Sequence, residues 1–324
     1  MPGRVFFFGF SPKSRFPFDP LSIGGHNTIP NWRLAMHIAK HVNSRAVALE
    51  TTLLVHGVPK SSSAQLAAEL GSIIEQEGST PALIGVLNGT PTIGMNDQQL
   101  ETLLDAQDVP KANTANLGVY MHKGSHAATT VSTTMELAAF AGLRIFATGG
   151  LGGVHHGYGT ELDISADLMG FTRFPVAVVT SGVKSILDVV STREALESLG
   201  ITVAGYQTDA FPAFYLRESL ARVDIRFDDI DELAGFIRAE LPRSGRGIVV
   251  ANPIPAEHEL DHGQWSKWLK RAKKLSEADG ASGRGVTPSI LKHLHEISEG
   301  QTLHANIELV KSNARVAAMI ESRL

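Results

Sequence analysis

From about residue 31 onward the chain alternates two hydrophobic rhythms: stretches with helical spacing, and short unbroken apolar runs. Pro30-Asn31 opens the first helical stretch, in which Trp32, Leu34, Ala35, Ile38 and Val42 share a face. Ala46–Leu54 then reads as an apolar strand. Ser61–Glu77 reads as a helix with Leu66, Leu70, Ile73 and Ile74 on one side and Gly78 as its stop. Ala82–Leu87 and Thr92-Ile93 flank Asn88-Gly89, a pair suited to a type I′ turn, so this stretch predicts a hairpin. Asp97–Asp108 predicts a short helix, Leu117–Met121 a strand, and Thr129–Ala141 a helix whose small residues suit close packing on a sheet.

Four further apolar runs recur: Arg144–Ala147, Val176–Val179, Thr202–Gly205 and Ile248–Val250. Strands so uniformly apolar are buried on both faces, which calls for helices on both sides of a mostly parallel sheet. The expected fold is therefore α/β, a three-layer α/β/α arrangement with a mostly parallel central sheet and a helical C-terminal part from Glu257 to Leu324. Chemistry in such folds gathers at the carboxyl ends of the strands. Those segments here are Thr148–Gly157, Thr180–Lys184, Tyr206–Phe214 and Ala251–Pro255. Neither a repeat nor a linker breaks the chain after residue 41, so residues 41–324 are expected to form a single catalytic domain, with residues 1–40 as an N-terminal extension.

Composition narrows the function. The 324 residues include 29 Lys+Arg and 33 Asp+Glu, a net charge of −4, and this slight acidity argues against nucleic acid as a partner. With no cysteine, the chain has no disulfide, thiolate metal site, iron–sulfur cluster or Cys nucleophile. No apolar run approaches the ~20 residues of a membrane span. The aromatic start, Val5-Phe6-Phe7-Phe8-Gly9-Phe10, is too short and too broken by Gly and Pro for a signal peptide. It reads as a poorly ordered extension or as a strap laying aromatics on the body, and the expected location is cytoplasmic.

Several residues stand where chemistry would be placed. The loop Gly149-Gly150-Leu151-Gly152-Gly153 follows a strand but fails the dinucleotide spacing, because the third glycine position counted from Gly150 is His155. Either the loop brings backbone N–H groups close to an anion or sugar, or it is a tight structural turn. Lys184 ends a buried run; a desolvated amine there would be nucleophilic and able to form an imine with a sugar aldehyde, whereas a lysine at a helix start would snorkel to solvent. Glu50 is the only charge in Ala46–Val55, as expected of a general acid with a raised pKa or of a strand-end carboxylate paired with a cation. Asp163 and Asp167 lie four apart; with a helix starting at Asp163 they share a face, with Asp163 either the N-cap or a ligand to a hard divalent cation beside His155 and His156. Lys123-Gly124-Ser125-His126 and Thr129-Thr130 suit either phosphate binding or a capped helix start.

Seven segments then follow in order: Ala48-Leu49-Glu50-Thr51-Thr52, His56-Gly57-Val58-Pro59, Ala147 to His155, Asp163 to Leu168, Lys184-Ser185-Ile186-Leu187-Asp188, Gly205-Tyr206-Gln207-Thr208, and Val250 to Pro255. Together they resemble the pseudouridine-5′-phosphate glycosidase family over residues 41–324. The resemblance implies reversible C–C glycosidic chemistry, in which pseudouridine 5′-phosphate and water give uracil and ribose 5-phosphate. It implies that Lys184 forms an imine at the anomeric carbon and that Glu50 moves the proton. Asp163 matches the position of a manganese ligand, so Mn2+ is the expected cofactor, acting largely through bound waters, with no organic cofactor. Lys111, Val131, Ser165, Ala166, Asp167, Thr130, Asn306 and His155 match substrate-binding positions or segments. A homotrimer is implied, with small-molecule partners, ribose 5-phosphate and a base such as uracil.

The chain departs from the family pattern in three places. A Ser-Arg-Arg-Asp-Leu stretch common in the family is replaced by the uncharged Ala112-Asn113-Thr114-Ala115-Asn116-Leu117, the Gly-x-Asn-Gly-Ala-Thr-Thr segment is altered at Gly124–Thr130, and Val-His-Arg-Gly becomes Val154-His155-His156-Gly157. The lysine, the acid and the aspartate survive while their surroundings change. That pattern admits a C-glycosynthase that joins ribose 5-phosphate to uracil or another carbon nucleophile, and, as a different class, an inactive sugar-phosphate-binding homologue.

Overall fold

The computed structural model describes residues 36–157, 159, 162–280 and 286–324; the expected opening of the first helix before Met36 and the aromatic N-terminal segment lie outside them. Among the described residues, eleven strands join into one sheet: β1 (His37–Ile38), β2 (Ala46–Glu50), β3 (Thr80–Leu87), β4 (Thr90–Ile93), β5 (Lys111–Ala112), β6 (Ala127–Thr129), β7 (Ile145–Ala147), β8 (Ala177–Thr180), β9 (Val203–Tyr206), β10 (Ile225–Phe227) and β11 (Ile248–Ala251). The main path runs β1-β4-β3-β2-β7-β8-β11-β9-β10, with β6 pairing β3 and β5 pairing β6. The β3–β4 and β3–β6 pairs are antiparallel, and the other pairs are parallel. In register, Ala48 faces Ala82 and Phe146, and Val178 faces Phe146 and Val249.

Every residue of β2, β7, β8 and β11 is buried, so both faces of the central sheet are covered. The helix α4 (Val131–Phe140) packs on β2 and β3, and α5 (Ala166–Arg173) packs against α4. The long C-terminal helix α10 (Gln301–Glu321) lies along β2, β7 and β8, beside α1 (Lys60–Gln76) and α7 (Ile230–Ser244). The expected three-layer α/β/α body and helical C-terminal part are present. α8 (His262–Ala278) and α9 (Val286–Ile297) complete the latter, while α2 (Asp97–Asp105), α3 (Leu117–Lys123) and α6 (Val189–Ser198) complete the body. The hairpin turn is also as expected: Asn88 and Gly89 have φ of 49° and 75°, both positive as a type I′ turn requires.

Four local expectations are corrected. His37–Ile38 is a strand paired with β4, so helical spacing does not carry through to Val42. The strand expected over Ala46–Leu54 stops at Glu50. Beyond it, the Thr51 hydroxyl donates to the Ile84 carbonyl at 3.0 Å, and a π-helical turn runs over Leu53–Gly57. Leu117–Met121 is part of α3 rather than a strand. Only Leu117 of that helix is buried, Gly124 closes it at φ 62°, and His122 and Lys123 suit its negative end. Finally, α5 begins at Ala166 with Ser165 as N-cap, its Oγ accepting from the Asp167 N–H at 3.2 Å, so Asp163 precedes the helix and does not cap it.

Candidate active site

Glu50 is the last residue of β2, Thr148 follows β7, Lys184 follows β8 in a turn, and Asn252 follows β11. Parallel pairing sets these ends side by side, and the Thr148 hydroxyl donates to Glu50 Oε1. Above them opens a cavity of about 450 Å³ lined by Glu50, Lys184, Lys111 and Asn306 together with the Gly149-Gly150 floor. Its wall is aromatic: Phe214 and Tyr215 meet edge to face at 4.7 Å, and Tyr215 meets Trp265 at 5.2 Å.

The electrostatics follow from burial. Glu50 is 8% exposed, and desolvation pushes its carboxyl above the ordinary value, opposed by the positive charge of Lys184, the Thr148 hydrogen bond and, more weakly, Lys111. Asp167, by its charge, adds to the rise. Lys111 lines the cavity and is exposed over part of its surface, while protein crowds the rest. That confinement, with Lys184 beside it, lowers its pKa, and Glu50 partly restores it. Lys184 itself is half-buried. A buried carboxylate and two amines thus interact within one cleft, an arrangement suited to an acid–base group working beside a nucleophilic amine.

The other expected site residues lie around this core. Thr130 occupies the N-cap position of α4, but its hydroxyl donates to the Ala112 carbonyl at 2.9 Å and does not cap. Val131, the next residue, is buried. Asp167 is 4% exposed and clamps two segments: Oδ1 accepts from the Ser132 N–H at 3.0 Å and Oδ2 from the Gly152 N–H at 2.9 Å. Ser165 and the adjacent Ala166 start α5, and His155 sits beside Asp163, Nδ1 to Oδ2 3.7 Å. None of Thr130, Val131, Ser165, Ala166, Asp167 and His155 lines the cavity.

A divalent cation finds one carboxylate here, not a cage. Among the described residues no group of three His, Asp or Glu side chains is arranged to hold a metal ion, and the Asp163 side chain is 58% exposed. An ion on Asp163 would take most of its shell from water.

Sequence reasoning missed Thr148, Phe214 and Asn313. Asn313 is fully buried on α10. Its amide donates to the Thr148 carbonyl at 2.8 Å and to the Ser181 hydroxyl at 3.1 Å, and its Oδ1 accepts from Asn252 at 2.9 Å, tying the helix to three strand ends. A polar residue in an apolar helix face was the available signal. Phe214 carried one too, since it sits in a strand-end segment, but its backbone conformation is invisible in sequence.

The fold and cavity define a class, an α/β protein with an amine and a buried carboxylate in the cleft beyond the carboxyl ends of its parallel strands. The chain belongs to the family described as Indigoidine synthase A like protein, which matches residues 36–323. The pseudouridine-5′-phosphate glycosidase of Caldanaerobacter subterraneus subsp. tengcongensis is 43% identical over 280 residues, 86% of this chain and 91% of that protein. That of Geobacillus kaustophilus is 43% identical over 288 residues, 88% of this chain and 95% of the relative. Among solved structures, the prealnumycin C-glycosynthase AlnA in complex with ribulose 5-phosphate matches with TM-score 0.83 at 31% identity, covering 89% of this chain and 96% of that one. An indigoidine synthase A-like protein from Thermotoga maritima matches with TM-score 0.81 at 32% identity, over 92% and 98% of the two chains.

Proposed function

We propose that this protein is a C-glycosidase of the pseudouridine-5′-phosphate glycosidase type, making and breaking the bond between C1′ of ribose 5-phosphate and C5 of uracil. The observation that carries this reading is the lining of one cavity by Glu50 and Lys184 in a chain with relatives of that name at 43% identity. In the direction of synthesis, the Lys184 amine adds to the aldehyde of open-chain ribose 5-phosphate and water leaves, giving an imine. C5 of the base attacks C1′, and the C=N π electrons move to nitrogen. Glu50 takes the C5 proton, restoring the ring of the base. The sugar O4′ then displaces the amine and closes the furanose. Cleavage is the reverse: the Lys184 amine displaces O4′ at C1′, and Glu50 returns a proton to C5. The nitrogen lone pair forms C=N as the C1′–C5 bond breaks and its electrons return to the ring of the base, and water then releases the sugar from the lysine. A carboxyl with a raised pKa suits both directions.

The direct test mixes the protein with ribose 5-phosphate, uracil and Mn2+ and seeks pseudouridine 5′-phosphate by mass spectrometry, with borohydride to trap the imine. Product and a sugar adduct on Lys184 are expected, and Lys184→Ala should lose both. A wild-type protein that turns over while its mass is unchanged by borohydride would sink the imine. A second reading, C-glycosynthesis with another carbon nucleophile, draws on the likeness to AlnA, the uncharged 112–117 segment and the aromatic wall. Product with a different acceptor and none with uracil would decide for it.

Three further properties go with this reading. Mn2+ on Asp163, through water, predicts that EDTA lowers turnover and Mn2+ restores it, with Asp163→Ala indifferent to both; equal activity with and without chelator would remove the metal. A homotrimer predicts three times the chain mass in light scattering. A cytoplasmic location suits doubly charged sugar phosphates, which do not cross membranes unaided.

A further inference from the structure

Phe214 holds a backbone conformation that bulky side chains avoid, φ 64°, and it does so inside the cleft. The surrounding structure enforces it. The Phe214 N–H donates to the Ser181 carbonyl at 2.8 Å. The Ser185 hydroxyl donates to the Ala213 carbonyl at 2.6 Å and accepts from the Tyr215 N–H at 3.3 Å. Gly182, φ 83°, pairs with Ala213 so closely that a Cβ on it would lie 1.8 Å from the Pro212 carbonyl oxygen. The turn carrying Lys184 and the segment carrying Phe214 are therefore one locked unit. Both side chains come down on the same floor. A Cβ at Gly150 would stand 2.4 Å from Phe214 Cδ2 and 3.4 Å from Lys184 Cγ. Glycine at 150 leaves room for both the ring and the lysine stem over the same stretch of backbone.

We propose that Phe214 is a positioning residue for Lys184: its ring confines the aliphatic stem on the Gly150 floor and so fixes where the amine meets a carbonyl carbon. The inference rests on the imine reading and deepens it. Misplacing a nucleophile by about an ångström slows reaction by about 10²-fold while leaving ligand binding largely intact.

The test compares Phe214→Asn, which tolerates the left-handed backbone but lacks the ring, with Phe214→Tyr, which keeps the ring. Phe214→Leu, apolar but not planar, serves as the second ringless variant should the asparagine protein fail to fold. Two rates are read: borohydride trapping with ribose 5-phosphate, and acetylation of Lys184 by acetic anhydride, followed across pH by peptide mass spectrometry. The folded ringless variant is expected to trap at least about tenfold more slowly, at a half-saturating ribose 5-phosphate concentration within about threefold of wild type. Its Lys184 acetylation profile should depart from wild type, and Phe214→Tyr should restore both. A folded ringless variant whose Lys184 acetylation matches wild type overturns the proposal. Wild-type protein that never traps the sugar defeats the imine reading instead, and the acetylation profiles still decide the role of Phe214.

Discussion

Burial and charge pull the Glu50 carboxyl in opposite directions, and burial prevails. A carboxyl whose pKa is raised by folding holds its proton more tightly in the native state than in the unfolded chain. Native protein thus binds more protons between the ordinary carboxylate pKa and the raised one, and stability contributed by this site falls as pH rises through that window. Glu50→Gln keeps the shape, abolishes the charge and should melt higher than wild type at neutral pH, with a flatter pH dependence of melting temperature between pH 4 and 8. Its turnover should fall by about 10²–10⁴-fold, the usual worth of a general acid–base group. Calorimetry across pH beside a turnover assay checks both, and an unchanged melting profile would show that Glu50 is not held uncomfortably. The identity of Glu50 was legible in sequence as the lone charge of an apolar strand. Its hydrogen bond from Thr148 was not, since 98 residues separate the two and only the β2–β7 pairing joins them.

At the scale of elements, local spacing served long periodic segments and failed short ones. Lys60–Gln76 and Gln301–Glu321 each run several turns, so their apolar stripes are unambiguous. Leu117–Lys123 offers barely two turns of mixed propensity, and its state is decided by its surroundings: the Asn113 side chain accepts from the Ala115 N–H at 2.9 Å and Gly124 closes the far end. The Asp163/Asp167 pair shows the same limit. Spacing alone permits one helical face, yet Ser165 caps the helix, leaving Asp163 exposed and turning Asp167 inward to join α4 to the glycine loop. Asp167→Ala should cost about 2–4 kcal/mol, because it removes two charge-assisted hydrogen bonds and strands buried N–H groups. Chemical denaturation measures this; a loss below about 1 kcal/mol would mean that water replaces the carboxylate.

At the largest scale, the unit from Met36 to Leu324 accounts for the family match. The described core runs continuously from the sheet to the C-terminal helix, and both lie between Met36 and Leu324. The family match begins at residue 36. Protein starting at Met36 is therefore expected to fold with a melting temperature within about 3 °C of the full chain, a change of less than about 1 kcal/mol, and to keep its turnover. Loss of either would assign residues 1–35 a structural or catalytic part.

Local patterns along the chain set the layers and the inventory. Unbroken apolar runs demand a sheet covered on both faces, helical periodicity supplies the cover, and a glutamate and a lysine at strand ends supply the reactive groups. Those are properties of a few neighbouring residues. Relations between residues far apart in the chain arise only on folding: which strand ends lie together, that Glu50 is buried beside Lys184 and not merely at a strand tip, that Asp167 is a clamp, and that Phe214 is held in a left-handed backbone. Strand order and close packing set these relations, and no local pattern encodes them.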